Sequence, residues 1–162
     1  MELTLPPDLP TTELDRVGPA EDRYEDLGLL GVGGLAEVRR VRDRELDRVV
    51  AMKVLHRDHA ASAAAVARFV GEARLSARLY HPAIVPIHDL GRRADGRLYF
   101  TMALVEGRTF GEHVMDWHRD VRAGTPPRWR PLVELFARIC EAVAHAHAHG
   151  VIHRDLKPAN VM

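Results

Sequence analysis

The sequence predicts an α+β domain in which most strands precede most helices. Apolar segments of strand length occupy much of residues 24–55 and 83–105, and helical periodicity appears at 60–79 and again at 131–149. Strands and helices do not alternate as they do in βαβ units, so a parallel sheet is not expected. With 162 residues, the chain is long enough to bury about 70% of the surface that it exposes when unfolded.

The first 22 residues are predicted to form a disordered leader. They are rich in proline, threonine and acidic residues, and they show no sustained periodicity. Such a segment lacks the apolar surface that would offset the entropy lost on ordering. We therefore expect the folded part to begin at residue 23.

Three strands are predicted between residues 24 and 55. The first covers 24–30 and ends in a glycine cluster, the second lies around 37–41, and the third is the apolar segment VVAMKVL at 49–55. The charged segment 42–48 is compatible with a hairpin or with part of a helix. Local sequence alone leaves both structures open.

A helix and two further strands are expected next. Residues 60–79 are rich in alanine and carry apolar residues at three- and four-residue spacing, until His81-Pro82 interrupts the pattern. Segments 83–91 and 97–105 have the composition of strands. The dipeptide Asp95-Gly96 lies between them and is typical of a tight turn, which predicts that they form a hairpin.

The last third of the chain is predicted to be mainly helical. A short helical segment at 109–117 precedes a surface linker at 122–129 that contains glycine and prolines. A long helix over 131–149 begins with a proline in its first turn and ends at Gly150, a residue typical of helix C-termini. Cys140 lies on its apolar side, where we expect a small buried hydrophobic residue.

Charge and cysteine content argue against several classes of function. The 23 basic and 23 acidic side chains cancel, so charge gives no reason to expect nucleic acid among its partners. The single cysteine cannot form an internal disulfide and no secretory signal is evident, which favours a cytoplasmic location. No apolar run approaches the ~20 residues of a membrane-spanning helix, so no membrane segment is expected in this chain.

A glycine-rich loop, GVGG, begins at Gly31 and continues as LAEV. Glycines allow backbone amides to approach phosphate oxygens, because no side chain intervenes. In a dinucleotide-binding unit such a loop opens onto a helix, whereas the residues after this one have the pattern of strand, turn and strand. The loop alone fits a phosphate-binding loop and an ordinary surface hairpin equally well.

Lys53 favours the phosphate-binding interpretation. A lysine in an apolar strand points to solvent or needs a partner, because an unpaired buried ammonium group is very costly. Strand alternation permits the solvent-facing position. Glu72, in the middle of the following helix, offers an ion pair instead, and a paired lysine behind a phosphate-binding loop is typical of a nucleotide site.

The tripeptide His-Arg-Asp occurs three times, at 56–58, 118–120 and 153–155. Asp58 follows the third strand and is expected to cap the next helix, for which Ser62 is another candidate. The second copy lacks a lysine two places and an asparagine five places after its aspartate, and a solvated loop is expected there. Only the third copy follows a long amphipathic helix and continues as LKPAN, so we predict that it carries the chemistry.

Four motifs in this order resemble the signature of protein kinases: GVGGLAEV, VVAMK, the helix that contains Glu72, and HRDLKPAN. The sequence is most similar to the bacterial eukaryotic-like serine/threonine kinases, from about Tyr24 to its last residue. The resemblance implies a two-lobe, protein-kinase-like α+β fold. A complete β-rich N-lobe would cover 23–102, a hinge 103–107, and the truncated start of a helical C-lobe 108–162.

The same resemblance implies ATP-dependent transfer of a phosphoryl group to a serine or threonine hydroxyl of a protein substrate. Lys53 would contact the α- and β-phosphates, and Val38 and Ala51 would cover the adenine. Met102 would be the gatekeeper, before a hinge whose backbone bonds adenine. The implied ATP-binding residues are Leu30, Gly31, Val32, Gly33, Gly34, Leu35, Ala36, Glu37, Val38, Ala51, Lys53, Glu72, Met102, Ala103, Leu104 and Val105.

Three residues of the last His-Arg-Asp motif would act on the transferred group. Asp155 would accept the proton of the substrate hydroxyl, and Lys157 would stabilise the transferring phosphoryl. Asn160 would hold a magnesium ion, so ATP and magnesium are the implied cofactors. The sequence KPAN after the aspartate resembles serine/threonine kinases more than tyrosine kinases.

Two features depart from the kinase pattern. Ala36 stands where the third glycine of the loop is expected, a change that a phosphate-binding loop tolerates. The sequence contains no D-F-G motif, whose aspartate supplies the second magnesium ligand in the family. Two interpretations therefore stay open, an ATP-dependent serine/threonine kinase or a catalytically inactive fragment that binds a nucleotide or a partner. In both, we expect the 131–149 helix to expose an apolar side that a protein partner could cover.

Overall fold

The computed structural model describes residues 23–126 and 128–162, so the predicted leader lies outside the described residues. Five strands and three α-helices form in this part of the chain. They are β1 (Tyr24–Val32), β2 (Ala36–Asp43), β3 (Arg48–Leu55), α1 (Ala63–Ser76), β4 (Ile87–Arg92), β5 (Leu98–Ala103), α2 (Phe110–Arg122) and α3 (Arg130–Ala148). Two 3-10 helices, Arg57–His59 and Pro158–Asn160, are also present. None of the helices in these residues is long and apolar enough to cross a membrane.

The strands form one antiparallel sheet in the order β1-β2-β3-β5-β4. Together with α1 they belong to a compact unit that ends at Leu104 and excludes residues 79–84. Asp43 and Arg48 pair at the end of β2 and β3, so the charged segment between these strands is a hairpin. Of the two structures that the sequence left open there, the helix is excluded.

Strand β3 is buried on both faces. Its alternate side chains Val50, Met52 and Val54 pack on one face of the sheet. Leu55 belongs to the other face, against which α1 packs. The first face is completed by Tyr24, Val41 and Tyr99. The second is completed by Ala36, Phe69, Val70, Ala73, Leu98 and Phe100.

A buried carboxylate joins the ends of three strands. Asp43 is fully buried, and Arg23 donates hydrogen bonds from Nε and Nη2 to its two oxygens at 3.0 and 2.9 Å. Arg23 also reaches Asp89 Oδ2 at 3.3 Å. The hydrogen bonds from Arg23 hold the pKa of Asp43 below its ordinary value. This cluster therefore ties the start of β1 to the β2–β3 hairpin and to β4.

Helix α1 begins later than the sequence predicts. Ser62 is its N-cap and accepts a hydrogen bond from the amide of Ala65 at 3.3 Å. Asp58 lies inside the 3-10 helix that precedes α1 and caps nothing there. The expectation that Asp58 caps this helix is wrong, because the intervening 3-10 turn moves the start of α1 to Ser62, the other candidate.

Helix α2 begins at a capping box and extends further than predicted. The Thr109 side chain accepts from the Glu112 amide, and the Glu112 carboxylate accepts from the Thr109 amide at 2.7 Å. The helix continues to Arg122, so the His-Arg-Asp tripeptide at 118–120 is helical. The predicted solvated loop is wrong. The pair between Asp116 and Arg119, one turn apart, stabilises the helix through this tripeptide.

Helix α3 follows the predicted boundaries within one residue and ends next to Gly150, whose φ is +73°. Its side chains Val133 and Phe136 remain 53% and 56% exposed. Cys140 is exposed as well, so the prediction that it is buried is wrong. The partly buried stripe of this helix includes Leu135 and Ile139 and is narrower than its apolar side, and Cys140 lies on the flank of that stripe.

The contact between Gly91 and Tyr99 gives a first prediction about stability. A Cβ atom added at Gly91 would lie 2.5 Å from Tyr99 Oη, and the Tyr99 ring is held in the core by an edge contact with Tyr24. Gly91→Ala should therefore lower the free energy of unfolding by about 1–3 kcal/mol, as overpacked core variants do. Urea denaturation of the parent and the variant measures this change in unfolding free energy. Gly34→Ala is the matched control, since nothing lies within 4 Å of its added Cβ.

The buried Asp43 gives a second prediction, about pH. Asp43→Asn should cost about 2 kcal/mol of unfolding free energy at pH 7, the usual contribution of hydrogen bonds to a charged group. Because the folded-state pKa of Asp43 is lowered from 3.8, its contribution is complete above that pH. It is lost as the pH falls through the folded-state value.

The difference between the thermal melts of the parent and Asp43→Asn should therefore stay constant from pH 7 down to about 3.8 and narrow as the pH falls further. Asp47→Asn on the same hairpin is the control, because its carboxylate is exposed and its pair with Arg42 lies at the surface. A constant difference between Asp43→Asn and the parent at every pH would contradict this assignment.

Candidate functional site

The glycine-rich loop connects β1 to β2. Gly31 pairs with Val38, and Val32 pairs with Glu37. The amide of Gly33 donates to the carbonyl of Ala36 at 2.9 Å, which closes the turn. The loop is thus a tight strand-to-strand connection, not the opening of a helix.

The residues predicted to contact adenine and phosphate lie on one face of the sheet. Val38 is opposite Lys53 in the β2–β3 register, and Ala51 is opposite Met102 in the β3–β5 register. Directly opposed residues of antiparallel strands present their side chains on the same face. Alternation along β3 places Ala51 and Lys53 on the face of Leu55, which is the face that α1 covers.

Lys53 is held by an ion pair and by an aromatic ring. Its Nζ lies 2.5 Å from Glu72 Oε1 and 5.6 Å from the centroid of the Phe100 ring. The Lys53 side chain is 23% exposed and that of Glu72 is 43% exposed. An ammonium group carries three donors, so Lys53 keeps donor capacity for an anion. Of the two positions that strand alternation permitted, the structure shows the paired one.

The segment after Met102, the predicted gatekeeper, is anchored at its first residue. The amide of Ala103 donates to the carbonyl of Pro86 at 3.1 Å. Ala103 is the last residue of β5, and Leu104 and Val105 belong to a stretch without helix or strand. Adenine could therefore not be bonded by the Ala103 amide without losing this contact.

Asp155 lies at the centre of a set of local hydrogen bonds. Lys157 Nζ lies 3.1 and 3.0 Å from its two carboxylate oxygens. Asn160 Nδ2 donates to the Asp155 carbonyl at 2.8 Å and to its Oδ2 at 3.0 Å. These bonds, that from Lys157 first, lower the pKa of Asp155, so the carboxylate is ionised at neutral pH. The predicted catalytic residues Asp155, Lys157 and Asn160 are thus in direct contact.

Two features of this loop have no clear signal in the sequence. Arg154 adopts φ = +63°, a left-handed conformation that is uncommon for a residue other than glycine. The carbonyl of Val161 accepts a hydrogen bond from the Phe110 amide at 2.8 Å, at the first residue of α2. A Cβ atom added at Gly111 would lie 3.5 Å from Pro158 Cβ, so the loop rests closely on the start of that helix.

Among the predicted residues, Asn160 offers one oxygen atom suitable as a magnesium ligand. Because Asn160 uses its Nδ2 group for Asp155, its Oδ1 atom is left as an acceptor, and magnesium prefers oxygen ligands. Residues 23–126 and 128–162 contain no group of three or more His, Cys, Asp or Glu side chains that could hold a metal ion. The donor set thus fits a magnesium ion that takes its remaining ligands from the nucleotide, from water or from other residues.

Comparison with known proteins gives the family. The profile of the protein kinase domain matches residues 24–162. Serine/threonine-protein kinase PknB of Mycolicibacterium smegmatis is 43% identical over 144 residues, which cover 87% of this chain and 22% of that protein. Serine/threonine-protein kinase PrkC of Bacillus subtilis is 38% identical over 140 residues, covering 86% and 20%. The chain therefore spans about a fifth of the length of these curated relatives.

The solved kinase domain of Mycobacterium tuberculosis PknI has the same fold. It aligns with a TM-score of 0.65 and 31% identity over 85% of this chain and 53% of the PknI chain. The predicted kinase-like α+β fold is thereby confirmed, with its five-stranded antiparallel N-lobe sheet and the first part of a helical C-lobe. The chain belongs to the protein kinase family and is similar to its bacterial serine/threonine members.

Proposed function

We propose that these residues are part of an enzyme that transfers the γ-phosphoryl group of ATP to a serine or threonine hydroxyl of a protein. The observation that carries the proposal is the ionised Asp155 carboxylate, held by Lys157 and Asn160 on an exposed loop. A fixed, ionised carboxylate can accept a proton from an approaching hydroxyl. The family supplies the reaction class to which this group fits.

The nucleotide would bind to the strand-rich unit through the face that carries Lys53. Amides of the glycine-rich loop at 31–36 would donate to phosphate oxygens. Lys53, oriented by Glu72, would neutralise the α- and β-phosphates. The apolar side chains of Val38 and Ala51 would contact the adenine ring, with Met102 beside it. The carbonyl of Ala103 and the groups of Leu104 and Val105 would bond the adenine edge.

The proposed transfer replaces one bond to the γ-phosphorus with another. The substrate hydroxyl oxygen forms a bond to the γ-phosphorus. The bond from that phosphorus to the oxygen that bridges the β- and γ-phosphates breaks. The hydroxyl proton passes to an oxygen of Asp155, and ADP leaves. Lys157 contacts the same carboxylate and would place its positive charge near the transferring group, where negative charge is redistributed.

Asn160 would hold magnesium through Oδ1. When bound, the ion neutralises phosphate charge and orients the γ-phosphoryl group. Asn160 also fixes Asp155 through its Nδ2 group, so one side chain would connect the metal to the proton acceptor.

The missing D-F-G motif supports a second candidate function for these 162 residues taken alone. Without its aspartate, one magnesium ligand of the family is absent from the sequence. The residues would then bind a nucleotide but transfer its phosphoryl group poorly.

Three further expectations stay predictions: a protein partner on the exposed side of α3, a cytoplasmic location and the lack of nucleic acid partners.

The three His-Arg-Asp copies allow a matched test of Asp155. In the protein that carries this sequence, Asp155→Asn should lower the rate of phosphate transfer from radiolabelled ATP to a serine/threonine substrate by at least about 100-fold, the usual loss of a general base. Asp58→Asn and Asp120→Asn make the same change in the other two copies and should retain the parent rate. Equal losses in all three variants would contradict the assignment, as would full activity of Asp155→Asn.

Nucleotide affinity tests the role of Lys53 in residues 1–162 themselves. Lys53→Met removes the ammonium group, so the dissociation constant of a fluorescent ATP analogue should rise by about 10- to 100-fold, as expected for a hydrogen bond between charged groups. Arg138→Met is a control that removes an exposed charge on α3. Unchanged affinity in Lys53→Met would exclude Lys53 from the nucleotide site. Absence of binding by the parent chain would exclude the second candidate function, in which these residues bind a nucleotide by themselves.

A further inference from the structure

Two histidine side chains hold the tip of the glycine-rich loop. His56 Nε2 lies 2.8 Å from the carbonyl oxygen of Gly33, and His59 Nε2 lies 3.1 Å from the carbonyl oxygen of Gly34. The backbone amide of His56 donates to the carbonyl of Leu35 at 3.1 Å. Three consecutive loop carbonyls are thus bonded to the segment that follows β3.

The carbonyl acceptors determine which nitrogen of each histidine ring carries a hydrogen. A carbonyl oxygen can only accept, so Nε2 of His56 and Nε2 of His59 must each carry a hydrogen. A neutral ring satisfies this in one of its two tautomers, and a protonated ring satisfies it as well. The contacts therefore do not require positive charge on either ring.

The 3-10 helix explains why the two histidine rings point to the same side. His56 is the residue before the 3-10 helix Arg57–His59, and His59 is its last residue. Side chains three residues apart lie above one another on a 3-10 helix, so both rings project toward the same side. Arg57 anchors the segment through Asp95 Oδ2 at 3.5 Å.

These bonds also fix the direction of the loop amides. The peptide bonds are trans, and in a trans peptide the C=O and the following N–H point in opposite directions. With the Gly33 and Gly34 carbonyls turned toward the histidines, the amides of Gly34 and Leu35 point away from them. Within the described residues, no backbone carbonyl accepts a hydrogen bond from either amide.

We propose that His56 and His59 are positioning residues that hold the glycine-rich loop with the amides of Gly34 and Leu35 directed at a nucleotide phosphate. The role rests on the proposed nucleotide-binding function of the loop. The histidines would not contact the nucleotide. They would keep two adjacent donors oriented before it arrives, so that less ordering is needed on binding.

Hydrogen exchange in the 162-residue chain tests the contact without any ligand. The reporter is the Gly33 amide, which is bonded to the Ala36 carbonyl within the same turn. In the double variant His56→Phe, His59→Phe, which keeps two aromatic rings but removes both donors, this amide should exchange about tenfold faster. Amides of β3 and β5 should keep their parent rates. His113→Phe, at an exposed position in α2, is the matched control.

Affinity for a fluorescent ATP analogue tests the positioning role. The double variant should bind about tenfold more weakly, and His56→Gln, His59→Gln, which restores an N–H donor at each position, should recover part of the loss. Unchanged exchange at Gly33 overturns the histidine contact. Faster exchange with unchanged affinity overturns its role in binding. If the parent chain binds no nucleotide, nucleotide binding by these residues fails and the positioning role fails with it, while the exchange result still shows whether the contact exists.

A measurement on the unmutated chain covers the case in which the variants do not fold. Nitrogen-15 NMR of the imidazole rings distinguishes the two neutral tautomers. His56 and His59 should both show a hydrogen on Nε2 at pH 8. The Nδ1–H tautomer in both rings would overturn the proposal.

Discussion

The burial of β3 on both faces is the constraint on which the rest of the strand-rich unit depends. Register is strongly specified wherever a strand buries a face, because a slip of one residue turns every side chain to the opposite face, and β3 has core side chains on one face and α1 against the other. Its register with β2 and β5 is therefore strongly determined. That register brings Val38, Ala51 and Met102 around Lys53 on one face. The position of the candidate nucleotide site is thus a consequence of core packing, and the ion pair to Glu72 is made by side chains that packing has already placed.

The loop around Asp155 is organised on a different principle. It is almost entirely exposed, so no apolar core determines its conformation. Its shape comes from hydrogen bonds between residues two to five positions apart, together with the left-handed Arg154 and the contact of Val161 with the start of α2. The compact sequence HRDLKPAN contains most of the groups that orient one another. This explains why the loop can be recognised from eight letters, whereas the sheet site needs residues separated by dozens of positions.

Sequence patterns were most reliable where one local rule acted alone. The continuous apolar run VVAMKVL predicted β3 within one residue, and proline and glycine predicted the limits of α3. β4 is shorter than predicted: it begins only after Pro86, which has no amide to donate, although its carbonyl accepts from Ala103. Cys140 is predicted to be buried but is exposed. Periodicity identifies the apolar side of a helix, but it does not show how much of that side neighbouring elements bury. The contacts of His56 and His59 were missed since they depend on where a 3-10 turn directs two side chains, and the tripeptide at 56–58 was interpreted only as a capping signal.

Lys53 and Lys157 are the only two lysines in the sequence, and the other 21 of its 23 lysine and arginine side chains are arginines. Both ammonium groups contact a carboxylate, Glu72 in one case and Asp155 in the other. A guanidinium group is planar and wider than an ammonium group and prefers paired, two-point contacts. A chain that uses arginine nearly everywhere else thus keeps lysine at two positions where a compact charge contacts a single acidic partner. Amine-selective reagents would consequently modify these two positions and, among side chains, no others, which makes the chain a naturally site-selective target for lysine-directed labelling.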